Sequence, residues 1–118
     1  KFKIATIKKM KKSEIKFTVS LDDNNKPVAL HWNAEDSGMQ GDKECKAMML
    51  ALFDKKDQTT MRIDLWTQEM MVEEMQQFFF EMYMSMADTY QNATNDKDQA
   101  EKMRGFARQF GKEVSLIK

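Results

Sequence analysis

Apolar and polar residues alternate from Glu14 to Leu21, with Ile15, Phe17, Val19 and Leu21 on one side and Glu14, Lys16, Thr18 and Ser20 on the other. Successive side chains of a strand point to opposite faces, so this pattern predicts a half-buried strand. Asp22 to Pro27 is a cluster of turn formers, after which Val28, Leu30 and Trp32 alternate with Ala29, His31 and Asn33. The two segments read as a hairpin. Cys45 to Phe53 fits two templates: a helical stripe of Cys45, Met48, Met49, Leu52 and Phe53 capped by Asp42, or a central strand apolar on both faces. The strand is preferred, because the polar connector Asp54 to Gln58 leads into a further alternating segment, giving a second hairpin for the first to join. In that segment Met61, Ile63 and Leu65 share one face while Arg62, Asp64 and Trp66 share the other.

At Val72 the period changes. Val72, Met75, Phe78, Phe79, Met82, Met86, Tyr90 and Ala93 recur at helical steps, and Glu69, Glu73 and Glu74 surround the expected helix start, where negative charge meets the positive end of the macrodipole. Asn95 or Asp96 opens a second helix, with Gln99 placed as in a capping box and Ala100, Met103, Phe106, Ala107, Phe110, Val114 and Ile117 on one face. Gly105 and Gly111 weaken it by about 1 kcal/mol each relative to alanine, with fraying expected near Gly111. The short connector makes the helices antiparallel neighbours, which would bring Glu81 near Arg108 and Glu74 near Lys112. The pattern as a whole predicts an α+β fold: an antiparallel sheet of about four strands in two hairpins, then an antiparallel pair of C-terminal helices packed on one face.

A chain of 118 residues is one domain's worth, and the reading assigns 13–118 to a single α+β domain behind a basic extension, 1–12. Lys1, Lys3, Lys8, Lys9, Lys11 and Lys12 carry six of the nineteen basic charges, so the rest of this formally neutral chain is acidic. Such an arm can make peripheral contact with an anionic lipid surface. An extension ahead of a start at Met10, disordered as untethered termini are, is the commoner explanation, and no nucleic-acid partner is expected. No apolar run approaches the roughly 18 residues of a membrane span, and the lysine-rich N-terminus lacks the apolar core of a secretory signal. With a single free thiol, Cys45, the expected location is cytoplasmic.

The chemistry of the sequence is sparse. One cysteine and one histidine, His31, exclude the multi-cysteine and paired-histidine zinc signatures, and the acidic Asp22–Pro27 turn lacks the glycine and distal glutamate of an EF-hand. No metal or cofactor is expected. Glu73 and Glu74 diverge by about 100° on a helix and cannot converge on one substrate atom. Arg62 and Asp64 lie on one strand face as an ion pair would. Asn92-Ala93-Thr94 matches a glycosylation sequon, without meaning in a cytoplasmic protein. The loop 34–42 carries Glu35, Asp36 and Asp42 near Trp32, and the alternative to an interaction protein is a small-molecule or anion binding module built on it. Twelve methionines, six of them between Met70 and Met86, suit an adaptable binding surface. Phe80, Met84 and Ala87 fall off the expected core stripe and form a candidate partner-binding strip.

The segments KKSEIKFTVSLDDNN, KAMMLALFD, MRIDLWTQEM and SMADTYQNATND give a further lead. From about Lys11 to Gly111 the chain resembles the gliding-motility-associated protein GldC family of Bacteroidetes. MRIDLWT and MADTYQNATND carry most of that likeness. Where the family pattern has a proline before the Val72-Glu73-Glu74-Met75 equivalent, this chain has Met71. The resemblance implies a small cytoplasmic accessory of gliding, without catalytic activity or functional residues to transfer. Its partners would be other gliding-motility or associated secretion components, with self-association as a further possibility.

Overall fold

Strands form where the alternation predicts them. The structure, a computed structural model, describes residues 10–36, 38 and 41–118. Residues 1–9, most of the expected basic extension, lie outside the described residues, and Met10–Lys12 are exposed without strand or helix. The chain divides into two compact units, Lys1–Gln68 and Glu69–Lys118. Among its described residues the first holds five strands: β1 Ile15–Leu21, β2 Pro27–Ala34, β3 Lys43–Cys45, β4 Ala47–Phe53 and β5 Thr60–Trp66. The second holds α1 Val72–Thr94 and α2 Lys97–Glu113. The fold class is α+β, as expected.

Both expected hairpins are present. β1 pairs antiparallel with β2, setting Phe17 opposite Trp32 and Val19 opposite Leu30, and β4 pairs antiparallel with β5, setting Leu50 opposite Ile63 and Leu52 opposite Met61. Each turn is closed by an aspartate. Asp22 Oδ1 accepts from the N–H groups of Asn24 and Lys26 at 2.8 and 3.0 Å, and Asp54 Oδ2 from those of Lys56 and Asp57 at 3.1 and 2.7 Å. Those carboxylates are committed to turn geometry, which is what short polar side chains do best in such positions.

The strand count differs from the expected four. Cys45 to Phe53 is extended, as preferred over the helix, but the segment is broken at Lys46: β3 pairs with β2 in a three-stranded sheet, whereas among the described residues β4 pairs only with β5, in a two-stranded one. The break is held from the β5 side, because Thr67 donates both its backbone N–H, at 2.9 Å, and its hydroxyl, at 3.2 Å, to the Lys46 carbonyl. A strand that passes from one sheet to another at such a corner bends there. Thr67 is buried, and Leu30, on the central strand of the three-stranded sheet, is 0% exposed.

In the second unit, α1 starts at Val72 as expected, with the Glu74 carboxylate accepting from the Met71 N–H at 3.0 Å. It ends at Asn95, whose φ of 61° is the left-handed conformation that stops helices. Asp96 then caps α2, its Oδ1 accepting from the Gln99 N–H at 3.1 Å. The helices form the expected antiparallel pair along a seam of small residues, Ala87 on α1 with Ala100, Ala107 and Gly111 on α2, all buried.

Candidate functional site

The helical pair has an apolar side and a charged side. On the apolar side the ring of Tyr83 meets Phe79, Phe106 and Phe110 edge-on, at centroid separations of 6.1, 5.3 and 5.3 Å. Such T-shaped contacts are favourable beyond the area they bury. Tyr83, Met86, Met103 and Phe106 line a hollow of about 150 Å³, with Phe106 still 60% and Met86 53% exposed. On the charged side Arg104 donates to Asp88 at 2.8 Å and to Gln91 at 2.7 Å, and lies 3.5 Å from Glu101. Arg108 meets Glu101 at 2.7 Å instead of Glu81, so it braces its own helix rather than the pair.

The hydrogen bond from Arg108, with Arg104 adding to it, holds the Glu101 carboxyl below its ordinary value. A depressed carboxylate contributes stability that is present above the unfolded value of about 4.3 and is lost as the pH falls through the folded one. Arg108→Ala is therefore expected to move the Glu101 titration, followed by carboxyl NMR, up toward the ordinary glutamate range. A midpoint that stays put would show that Arg108 is not the cause.

The strip Phe80, Met84 and Ala87, expected on the back of the long helix, belongs largely to the helix pair. Ala87 has no exposed surface, and the Phe80 ring lies over Gly111, 2.8 Å from where a Cβ would stand. Met84 is half-buried. Conversely Val72, Met86 and Ala93, assigned to the core stripe, are exposed. The cause is that α1 is apolar over more than half its circumference: periodicity identifies an apolar arc, but not which part of a wide arc meets α2. What could have marked that part is the small residue at Ala87, since close helix approach needs small side chains. Phe80 and Met84 nevertheless keep part of their surface exposed.

In the first unit a groove of about 390 Å³ is lined by Lys26, Pro27, Asp64, Leu65, Trp66, Thr67 and Gln68. None of these belongs to the 34–42 loop. The loop acids are otherwise engaged: Glu35 Oε2 accepts from the Glu14 N–H at 3.3 Å and Asp42 Oδ1 from Asn33 Nδ2 at 3.2 Å, while Asp36 is exposed. Ser37, Met39 and Gln40 lie outside the described residues. His31 is half-buried between Thr18 and Glu44 in the strand register. Burial, with Glu44 adding to it, pushes the Cys45 thiol up, which keeps it protonated and a poor nucleophile. Among the described residues no group of three or more histidine, cysteine or carboxylate side chains is placed to hold a metal ion, and no helix is long and apolar enough to cross a membrane.

The described residues present exposed apolar rows on strands and an aromatic hollow on the helices, with Asp22 and Asp54 closing turns, Asp96 capping α2, and Asp88 and Glu101 held by arginines. No curated protein and no solved structure matches the chain. A family model described as Gliding motility-associated protein GldC-like does match, over residues 27–116, from the first residue of β2 to beyond the end of α2. The match covers about three quarters of the sequence, and the chain belongs to this GldC-like, gliding motility-associated family.

Proposed function

We propose that this protein is a non-catalytic cytoplasmic accessory of gliding motility that works by binding other proteins of the motility or secretion machinery. The observation that supports this reading is the hollow of Tyr83, Met86, Met103 and Phe106, an aromatic and methionine surface left open on the helical pair. Clustered exposed apolar side chains rich in aromatics and methionine are a mark of interaction surfaces. Family membership supplies the cellular process, and the hollow supplies a place to look for the partner.

A photo-crosslinking residue at position 106 tests it, since an exposed aromatic position accepts a larger aromatic without repacking. In gliding cells the adduct is expected to contain a motility or secretion component, and a crosslinker at Asn92, exposed on the same helical pair, is expected to give none. Normal gliding in cells carrying a folded Phe106→Ser protein would overturn the reading.

A further inference from the structure

The two-stranded sheet is incomplete in a particular way. Thr67 N–H bonds to the Lys46 carbonyl at 2.9 Å and Asp54 N–H to the Thr59 carbonyl at 2.8 Å, which fixes the two ends of the β4–β5 ladder. Hydrogen-bonded and non-hydrogen-bonded pairs alternate in an antiparallel ladder. With the observed register, Met61, Ile63 and Leu65 therefore turn their backbone groups toward β4, and Thr60, Arg62, Asp64 and Trp66 turn theirs outward. Among the described residues no strand other than β4 pairs with β5, so this outward row is open. Six of the seven β5 residues are exposed, Met61 and Ile63 among them.

Charged side chains are one way edge strands are protected, and charges of one sign facing each other repel a second copy. β5 carries the opposite arrangement. Arg62 and Asp64 sit two residues apart on one face, joined at 2.7 Å, with side chains 48% and 39% exposed. An antiparallel partner centred on Ile63 would place Arg62 of each strand opposite Asp64 of the other, Thr60 opposite Trp66, Met61 opposite Leu65, and Ile63 opposite itself. Three requirements are met together: outward backbone groups face outward backbone groups, opposite charges face one another, and apolar residues continue the row of Leu50, Leu52, Met61 and Ile63. Centring the pair on Arg62 or on Asp64 would set like charges directly opposed, and centring it between residues would mismatch the hydrogen-bonding parity.

We propose that β5 is the seam of a two-fold symmetric dimer, in which the β5 edges of two copies of this chain pair antiparallel about Ile63 to give one four-stranded sheet. Self-complementarity is what a two-fold interface demands, because the same patch must recognise itself. The proposal goes beyond the proposed function and does not depend on it, since the hollow on the helices is not used.

Sedimentation equilibrium of the full chain provides the first test. The wild-type protein is expected to dimerise, and Asp64→Arg or Arg62→Asp, each of which opposes like charges twice across the axis, to weaken the dimer roughly tenfold or more. Combining Arg62→Asp with Asp64→Arg restores opposite charges and is expected to restore the dimer. The second test does not depend on charge: Ile63→Cys in a Cys45→Ser background should form a crosslinked dimer on mild oxidation. In a non-hydrogen-bonded antiparallel pair the Cα atoms lie about 4.5 Å apart, within disulfide range. Lys55→Cys in the same background, at the far turn of the hairpin, should stay uncrosslinked under the same conditions. A wild-type chain that stays monomeric would overturn the proposal. So would a dimer indifferent to the single reversals that does not crosslink through position 63.

Discussion

Leu30→Ala is expected to lower the stability of the strand unit by about 2–5 kcal/mol, the cost of deleting a fully buried leucine side chain where the surroundings cannot collapse. Among the described residues Leu30 is the one large side chain with no exposed surface, and it sits in β2 with Val19 opposite on one side and Cys45 on the other. Against a total of roughly 5–15 kcal/mol for an ordinary domain, such a loss is a large share. The measurement can be made local, because both tryptophans, Trp32 and Trp66, lie in strands of the first unit. Their fluorescence in a urea titration reports that unit. The control is Val28→Ala on the same strand, where a half-exposed side chain is expected to cost no more than about 0.5 kcal/mol. Equal shifts for the two variants would show that Leu30 does not anchor the sheet.

Much of this architecture is legible in the sequence because period-two patterning is unambiguous when apolar residues strictly alternate. Ile15 to Leu21 and Met61 to Trp66 both form strands, although Ile15, Phe17, Leu21, Met61 and Ile63 stay exposed instead of half-buried, and Asp96 caps α2 through the side-chain chemistry its position implies. The break at Lys46 is less legible. One polar residue in an apolar run looks the same whether the strand continues or turns a corner, and what fixes the corner is Thr67, distant in sequence, donating twice to one carbonyl. The surface of α1 is hidden for a different reason. Phe78, Phe79 and Phe80 are consecutive, so they span about 200° of the helix, and hydrophobicity alone cannot say which ring meets α2. The family resemblance named the process but not the surface. Gly111 carries the missing information, since a glycine persisting in a helix needs a reason, and here the reason is a phenylalanine.

That reason can be tested by two substitutions of opposite sign. Gly105 and Gly111 both lie inside α2, and helix propensity alone would favour alanine at either by about 0.5–1 kcal/mol. At Gly105 a new Cβ meets nothing within 4 Å, so Gly105→Ala is expected to stabilise the helical pair by about that amount. At Gly111 the same methyl would come within 2.8 and 2.9 Å of two Phe80 ring carbons and 3.2 Å of Ile117. One face of that ring is held against α2, so the clash is relieved only by moving the ring or parting the helices, and overpacking of this kind costs about 1–3 kcal/mol. Gly111→Ala is thus expected to destabilise despite its better helix propensity, and ellipticity at 222 nm during thermal unfolding distinguishes the two variants by direction alone. Phe80→Ala removes both colliding ring atoms, so it should be less harmful in the Gly111→Ala background than in the wild type. A double-mutant cycle with strong favourable coupling between the two sites is the expected result. Simple additivity would mean that Phe80 does not occupy the space that Gly111 leaves open.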